Sequence, residues 1–183
     1  MFDRTLIDEA TRLLAALRAR SLMVATAESC TGGLIAGLLT EIPGSSDVVD
    51  CGFITYSNDA KQQLIGVPPQ LLARHGAVSA EVAVAMAEGA LKHAPRATIA
   101  VAVTGVAGPG GGSIDKPVGL VHFGCSWRGH RTVHREFRFG DLGRSAIRQA
   151  TVGQALVLIG EALDATGPEL GSELGPTPNR SGG

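Results

Sequence analysis

The stretch SLMVATAESCTGG, residues 21–33, decides how this chain folds. Its residues 21–27 form a short, mostly apolar run, which is typical of a buried β-strand. A glycine pair, Gly32-Gly33, then falls within residues 31–41, whose apolar pattern is helical and stops before Pro43-Gly44. A strand that passes through glycines into a helix leaves main-chain N–H groups pointing outward at the helix start. The stretch therefore predicts a binding site at the turn between a strand and a helix.

The same alternation of strands and helices continues over the rest of the chain. Hydrophobic periodicity predicts helices at residues 3–20, 31–41, 58–65, 68–75, 80–93 and 141–164, and strands at residues 21–27, 47–56, 97–105, 119–127 and 131–139. Asn58 and Ser79 are suited to cap two of the helices. The short turn at residues 128–130 predicts that the last two strands form a hairpin. We therefore expect an α/β fold, a three-layer α/β/α sandwich with a mostly parallel sheet and one antiparallel hairpin.

The composition is that of a globular protein. Hydrophobic residues make up 44% of the chain, and no apolar run reaches the roughly 18 residues of a membrane span. The acidic N-terminal region lacks a signal-peptide pattern, which predicts a cytoplasmic protein. Three widely spaced cysteines predict reduced thiols rather than a disulfide framework. We expect one domain over residues 1–166 and a disordered tail over residues 167–183, which are rich in Gly, Pro and Ser.

The charge pattern argues against a nucleic-acid partner. The net charge is -1, and aromatic residues, which stack on bases, make up only 4% of the chain. Residues 127–148 are a local exception, because they hold six arginines against two acids. These arginines either lie on a solvated strand face, or one or two of them bind a phosphate group.

Three adjacent side chains before the glycine pair, Ser29, Cys30 and Thr31, carry a hydroxyl or a thiol. Ser29 stands at the strand end, where open α/β sheets bind their ligands. It is either a nucleophile or, like Thr31, a cap for the following helix. The chain has no G-x-S-x-G motif, and none of its five histidines lies in a recognisable nucleophile motif.

A lysine is the other kind of base that can activate a serine. The chain has thirteen arginines but only three lysines, Lys61, Lys92 and Lys116. A buried lysine can lose its proton near neutral pH, whereas arginine cannot, so each lysine is a candidate base. Lys61 and Lys116 lie beside loops that flank strand ends, and Lys92 lies late in a helix. Placement by chance is the alternative for all three.

Tyr56, the only tyrosine, precedes Lys61 by five residues at the end of a predicted strand. If the strand gives way to a helix near Asn58, both side chains can converge on a site at the strand end. Tyr56 then orients Lys61 or relays a proton. The alternative is a strand tyrosine that packs at the edge of the core.

A glycine-rich loop, TGVAGPGGG at residues 104–112, follows another continuous apolar strand. Its N–H groups either cradle a phosphate or a sugar, or belong to a mobile surface loop. The loop matches neither the P-loop pattern nor G-x-G-x-x-G. No metal-ligand spacing and no paired-carboxylate signature occur in the sequence, so we expect no metal and no cofactor.

Seven motifs follow one another in an order and spacing that resemble a known family. They are TAESCTGG, GSS at residues 44–46, GFITYSNDAK, LIGVP, HGAVSAEVA, AVTGVAGPGGGSIDKPVGLV and FGDLGRSAIRQAT. Together the chain closely resembles the CinA C-terminal domain family over about residues 6–163. The stand-alone members of that family are nicotinamide mononucleotide (NMN) deamidases.

The resemblance implies an amidohydrolase of pyridine nucleotide salvage, which converts NMN to nicotinate mononucleotide and ammonia. The family's nucleophile falls on Ser29, its lysine base on Lys61 and its assisting tyrosine on Tyr56. On this interpretation, N–H groups near Cys30 to Gly33 hold the oxyanion, and the 104–112 loop holds the phosphate together with Arg144 or Arg148. The substrate-binding residues implied are Cys30, Thr31, Gly32, Gly33, Thr104, Gly105, Gly108, Gly110, Arg144 and Arg148. The family also implies a homodimer.

Three alternatives stay open at this point. Cys30 is a rival nucleophile, because a thiol is intrinsically stronger than an alcohol. A non-catalytic regulatory module that binds pyridine or adenine nucleotides is the competing class of function. Nucleic-acid binding through the arginines is a third class, and it would be steeply salt-dependent. The chain lacks the larger N-terminal domain of full-length CinA proteins, so we expect the reaction of that domain to be absent.

Overall fold

The computed structural model describes residues 2–165, in which five strands form one mixed sheet. The strands are β1 (Val24–Glu28), β2 (Val49–Ile54), β3 (Ile99–Gly105), β4 (Leu120–Trp127) and β5 (Val133–Arg138). The helices are α1 (Arg4–Ala19), α2 (Leu34–Glu41), α3 (Asn58–Ile65), α4 (Pro69–His75), α5 (Ala80–His93) and α6 (Arg144–Ala165), with a short 3₁₀ turn at Ser45–Asp47. The predicted tail at residues 167–183 lies outside the described residues.

The sheet has the strand order β2-β1-β3-β4-β5. β1 pairs in parallel with both β2 and β3, whereas β4 runs antiparallel to both β3 and β5. Parallel neighbouring strands need a long crossover connection, usually a helix. Residues 106–119, between β3 and β4, contain no helix, so β4 runs antiparallel to β3. The predicted α/β class with a β4–β5 hairpin is confirmed.

Two apolar layers separate the sheet from its helices. Alternate residues of β3 supply both layers: Val101 and Val103 belong to the core shared with α1, α2 and α6, and Ala100 and Ala102 to the core shared with α5. Side chains that alternate between the two faces of a strand have this effect. The small alanines allow α5 to lie close to the sheet, and the result is the expected three-layer sandwich.

The helix starts differ in part from the sequence-based expectations. The cap of α3 is Ser57, whose hydroxyl accepts a hydrogen bond from the N–H of Ala60 at 3.0 Å, so the assignment of Asn58 as cap was wrong. Ser79 caps α5 as predicted. α2 begins at Leu34 rather than at residue 31, because Gly33 has a φ of +95° and ends a turn. A positive φ of this kind interrupts a helix and favours glycine.

The sheet topology determines where functional groups meet. Because β1, β2 and β3 are parallel, their carboxyl ends lie at the same edge of the sheet. Ser29, Thr55 and Gly105 stand at this edge, at or directly beyond the ends of these three strands. Within residues 2–165 no helix is long and apolar enough to cross a membrane.

Candidate active site

Ser29 and Lys61 are in contact at the carboxyl edge of the sheet. The Nζ atom of Lys61 lies 3.1 Å from Oγ of Ser29. Ser29 follows β1 directly, and its N–H donates to the carbonyl of Val103 at the end of β3 at 3.0 Å. Lys61 reaches the site from the first half of α3. The two residues that the family resemblance pairs are thus within hydrogen-bond distance.

The surroundings of Lys61 make the neutral amine more accessible than it is in an exposed lysine. The side chain is 0% exposed, and burial lowers its pKa to about 8. Nζ also donates to the carbonyl oxygens of Thr55 at 2.8 Å and Tyr56 at 3.4 Å. A neutral amine has two N–H donors and one lone pair. If its two donors serve the two carbonyls, the lone pair points to the Ser29 hydroxyl, which is the geometry of a base about to accept a proton.

The other candidate bases lie away from Ser29. Lys116 donates to the carbonyl of His75 at 2.7 Å, and Lys92 lies in the last turn of α5. The histidines have other partners: His75 pairs with Glu81, His93 with the carbonyl of Gly89, His122 with His134, and His130 makes an edge-to-face contact with Trp127. Lys61 is therefore the candidate base within residues 2–165 that touches Ser29.

Cys30 is poorly suited to act as a nucleophile. Its side chain is buried, and this burial raises the pKa of the thiol to about 12. A thiol attacks as its thiolate, which this environment disfavours. Its neighbour Thr31 is also buried, and its hydroxyl has no hydrogen-bond partner within the described part of the chain. The geometry favours Ser29 among the three adjacent candidates.

Tyr56 is oriented differently from what a direct contact with Lys61 would require. Only its main-chain oxygen contacts Lys61, and its side chain is 63% exposed. The phenolic oxygen accepts a hydrogen bond from Nη2 of Arg144 at 3.4 Å. The side chain of Tyr56 therefore lies at the rim of the site, where it can touch a bound molecule.

Glu28, the last residue of β1, is a buried acid that the sequence analysis did not single out. Its carboxylate accepts hydrogen bonds from the N–H groups of Gly33 at 2.9 Å, Ile35 at 3.0 Å and Ala36 at 2.8 Å. It thus satisfies donors at the start of α2, which has no side-chain cap from Gly33. The available signal for this residue was an acid at the end of a strand that holds no other charged residue.

The bonds of Glu28 leave few free donors on the Ser29 turn, residues 29–33. Gly33 donates to Glu28, and the N–H of Gly32 donates to the carbonyl of Ser29 at 3.1 Å. Within residues 2–165, the N–H groups of Cys30 and Thr31 donate to no other residue. Of the four residues expected to hold an oxyanion, Cys30 and Thr31 have the uncommitted N–H groups.

The two candidate phosphate-binding arginines differ in how they are bound. Arg148 is part-buried and donates to the carbonyls of Cys30 at 3.2 Å and Thr31 at 2.6 Å, so it braces the Ser29 turn. Arg144 is exposed and donates to the carbonyl of Gly108 at 3.0 Å as well as to Tyr56. Arg144 is the more accessible of the two.

Three of the other arginines of residues 127–148 contact main-chain carbonyls or acidic side chains. Arg128 donates to three carbonyls near the end of α5, those of Ala97, Leu91 and Ala94. Arg138 pairs with Glu136 at 2.8 Å, and Arg135 lies 3.7 Å from Glu161. For these arginines the solvated or structural interpretation holds.

The glycine-rich loop combines structural and accessible positions. Thr104 is buried and its hydroxyl donates to the carbonyl of Ala77 at 2.8 Å. A Cβ on Gly105 would lie 2.6 Å from the carbonyl oxygen of Leu120, so close packing requires glycine there. Gly108 faces Val118, whereas a Cβ on Gly110 would meet nothing within 4 Å. Gly110 thus borders open space, whereas Gly108 is buried and only its carbonyl contacts Arg144.

A family model and several known proteins match this chain. The model of the CinA C-terminal domain matches residues 7–163. The nicotinamide-nucleotide amidohydrolase PncC of Escherichia coli is 50% identical over 157 residues, which are 85% of this chain and 93% of that protein. A CinA-like protein of Synechococcus is 54% identical over 154 residues, but these are only 35% of its length. The chain spans about a third of the length of such longer relatives.

Solved structures show the same fold. The competence/damage inducible protein CihA of Agrobacterium tumefaciens has a TM-score of 0.86 and 54% identity, covering 90% of this chain and 98% of that one. A CinA superfamily protein of Klebsiella pneumoniae has a TM-score of 0.83 and 36% identity, covering 87% of this chain and 98% of that one.

Proposed function

This chain belongs to the CinA C-terminal domain family, and we propose that it hydrolyses the carboxamide of NMN to give nicotinate mononucleotide and ammonia. The relative that supports this substrate is the nicotinamide-nucleotide amidohydrolase of E. coli, which the chain matches over nearly its whole length. In the proposed mechanism Ser29 is the nucleophile and Lys61 is the general base.

Acylation begins at the Ser29–Lys61 contact. Neutral Lys61 accepts the proton of the Ser29 hydroxyl while Oγ attacks the carboxamide carbon. The resulting oxyanion accepts hydrogen bonds from the free N–H groups of Cys30 and Thr31. The C–N bond then breaks, and the Lys61 ammonium returns the proton to the leaving nitrogen, which departs as ammonia. Ser29 is left as an ester of the nicotinate group.

Deacylation uses the same groups in the reverse direction. Lys61, again neutral, accepts a proton from a water molecule, and the water oxygen attacks the ester carbon. The bond from carbon to Oγ of Ser29 breaks, and Lys61 returns the proton to that oxygen. The products are the free enzyme and the carboxylic acid, which releases its proton to solvent and leaves as the carboxylate, so atoms and charges balance without a metal or a redox cofactor.

The nucleotide phosphate binds at the rim formed by Arg144 and residues 108–112. Arg144 is exposed and already touches this loop, and an arginine fork suits a phosphate. Arg148 is committed to two carbonyls of the Ser29 turn. We therefore propose Arg144 for the phosphate, the exposed ring of Tyr56 for the nicotinamide riboside, and Arg148 as a brace.

The observation that carries this proposal is the 3.1 Å contact between a buried amine and a serine beside uncommitted N–H groups. The experiment measures ammonia release from NMN by two matched variants. Ser29→Ala should lose at least about 10³-fold in kcat, because the nucleophile is gone. Cys30→Ala should keep much of the activity. The reverse result would make this a thiol enzyme and would overturn the assignment.

The same assay separates the enzyme from a regulatory nucleotide-binding module. A module would be stabilised thermally by NMN but would release no ammonia.

The homodimer implied by the family and the cytoplasmic location stay predictions. Light scattering of the purified protein tests the homodimer.

A further inference from the structure

Glu28 is the most completely satisfied buried charge near the dyad. Its side chain is 1% exposed, and each of its two oxygens accepts two hydrogen bonds. Oε2 accepts from Gly33 and Ile35, and Oε1 accepts from Ala36 and, at 3.3 Å, from the hydroxyl of Thr26. A carboxylate is the acceptor-only form that fits four donors. Burial of such a charge is tolerated only when it is paired or hydrogen-bonded in this way.

The place that Glu28 occupies is one where other α/β proteins bind an anionic ligand. N–H groups at a helix start that follows a strand and a glycine turn are an anion site. In this chain the carboxylate of Glu28 takes three of those N–H groups. The start of α2 is therefore filled by an internal anion and is closed to the phosphate of a substrate.

The main chain of Glu28 links the two halves of the dyad. Its carbonyl oxygen accepts a hydrogen bond from the N–H of Thr55 at 2.8 Å, and the carbonyl of Thr55 accepts from Lys61 at 2.8 Å. The next residue in the chain is Ser29. One residue thus joins the Ser29 turn, the start of α2 and the strand end that orients Lys61.

We propose that Glu28 is a positioning residue of the Ser29–Lys61 dyad, a built-in anion that holds the Ser29 turn in shape. The inference rests on the proposed function for the roles of Ser29 and Lys61. Glu28 touches neither the reacting atoms nor the proposed phosphate position, so its loss affects the chemical step rather than substrate binding.

The test replaces the charge with a neutral group of the same size. Glu28→Gln turns one acceptor into an NH₂ group that faces N–H donors, so the turn must shift. The matched control is Glu41→Gln, the same change at the exposed opposite end of α2. Circular dichroism and thermal unfolding establish that each variant is folded at the assay temperature.

Two readouts distinguish positioning from a purely structural role. The first is the rate at which a phosphonofluoridate labels Ser29, identified by mass spectrometry, which needs the activated serine but not NMN. Folded Glu28→Gln should be labelled about 30-fold or more slowly than the wild type, as misplaced catalytic groups lose rate steeply. The second readout is the pair of steady-state constants of Glu28→Gln with NMN. We expect its kcat to fall and its KM to change by less than about twofold. Glu41→Gln should match the wild type in both.

The result that overturns the proposal is a folded Glu28→Gln protein labelled within about twofold of the wild-type rate. If Glu28→Gln does not fold, Thr26→Val decides, because it removes one donor to the carboxylate and leaves the charge. A slower labelling of folded Thr26→Val supports the proposal, and an unchanged rate overturns it. If the wild-type protein is labelled at Ser29 but releases no ammonia from NMN, the proposed substrate is wrong. The labelling rates of the variants still test the role of Glu28 in that case.

Discussion

Lys61 illustrates how one side chain acquires chemistry from its surroundings. An exposed lysine holds almost no neutral amine at neutral pH, but burial removes water from this amine and lowers its pKa to about 8, so roughly a tenth of it is neutral at pH 7. Two main-chain carbonyls then fix the direction of Nζ towards Ser29. No nearby cation is needed for this effect, since burial is its main cause.

Lys61→Arg should be nearly as inactive as Lys61→Ala. A guanidinium keeps its proton at any accessible pH, so it cannot act as a base even where it preserves the positive charge. We expect both variants to lose about 10² to 10⁴-fold in kcat for ammonia release from NMN. Lys116→Arg, which changes the lysine held by the carbonyl of His75, is the matched control and should stay active. An active Lys61→Arg enzyme would refute the base assignment.

The pH profile of kcat/KM should report the titration of Lys61. The base must be neutral, so activity rises with pH and levels off above a pKa of about 8. Below that value, we expect kcat/KM to fall about tenfold per pH unit, as the protonated fraction grows. Ammonia release between pH 6 and pH 10 measures this limb. A profile that is flat across pH 7 to 9 contradicts a titrating amine with this pKa.

At the scale of elements, the packing of α3 on α5 brings Lys61 into the site. A Cβ on Gly89 of α5 would lie 2.0 Å from the carbonyl oxygen of Ile65 at the end of α3. Only a residue without a side chain allows the two helices to approach this closely. The position of Lys61 therefore depends on a glycine that is distant from it in the sequence.

Gly89→Ala should push α3 away from α5 and destabilise the fold by about 1–3 kcal/mol, the usual cost of overpacking. The matched control is Gly160→Ala in α6, where a Cβ would meet nothing within 4 Å. That change should be neutral or stabilising by up to about 1 kcal/mol, because alanine favours a helix over glycine. Urea unfolding of both variants provides the comparison. Equal effects at the two glycines would argue against the close helix contact.

The first two turns of α6 supply two arginines with different roles. Arg144→Ala should raise KM for NMN by about tenfold or more, because it removes a charged partner of the phosphate. It should have little effect on any hydrolysis of nicotinamide riboside, because that compound has no phosphate. Arg148→Ala should instead lower kcat for both compounds, since it frees the carbonyls of Cys30 and Thr31. Steady-state ammonia assays with the two substrates separate these outcomes.

In the sheet as a whole, β2, β1 and β3 are parallel neighbours, and this arrangement brings the parts of the candidate site to one edge. Each strand end contributes one part: Ser29 from β1, the carbonyls that orient Lys61 from the end of β2, and the glycine-rich loop from β3. Ligand binding at this edge therefore connects segments that are far apart in the sequence, and it should stabilise the whole fold.

NMN should raise the unfolding temperature of Ser29→Ala, which binds the substrate without consuming it. A ligand at 100 times its Kd adds about 2.7 kcal/mol to the free energy of unfolding, which is roughly 5–10 °C for a domain of this size. Nicotinamide alone, which lacks the ribose phosphate, should give a much smaller shift. Differential scanning fluorimetry measures both. No shift with NMN, with an intact fold, contradicts binding at this edge.

Most of the fold followed from local patterns in the sequence. The apolar runs, the helical stripes and the Gly and Pro residues between them located all five strands and all six helices of residues 2–165, with boundaries within a few residues. These signals are short-range, because apolar residues recur every three or four positions in a helix and every second position in a strand. The family motifs likewise indicated Ser29, Lys61 and the glycine-rich loop.

The contacts between these residues could not be read from local patterns, because they join segments that are far apart in the sequence. The tertiary structure places Lys61, of the three lysines, against Ser29, turns the side chain of Tyr56 towards Arg144, and pairs N–H groups at the start of α2 with Glu28. Each of these outcomes depends on which strands pair and how closely helices pack on them. Local patterns in the chain were enough to predict its helices, its strands and the candidate groups, whereas burial and hydrogen bonding between distant segments set which of those groups lie in contact.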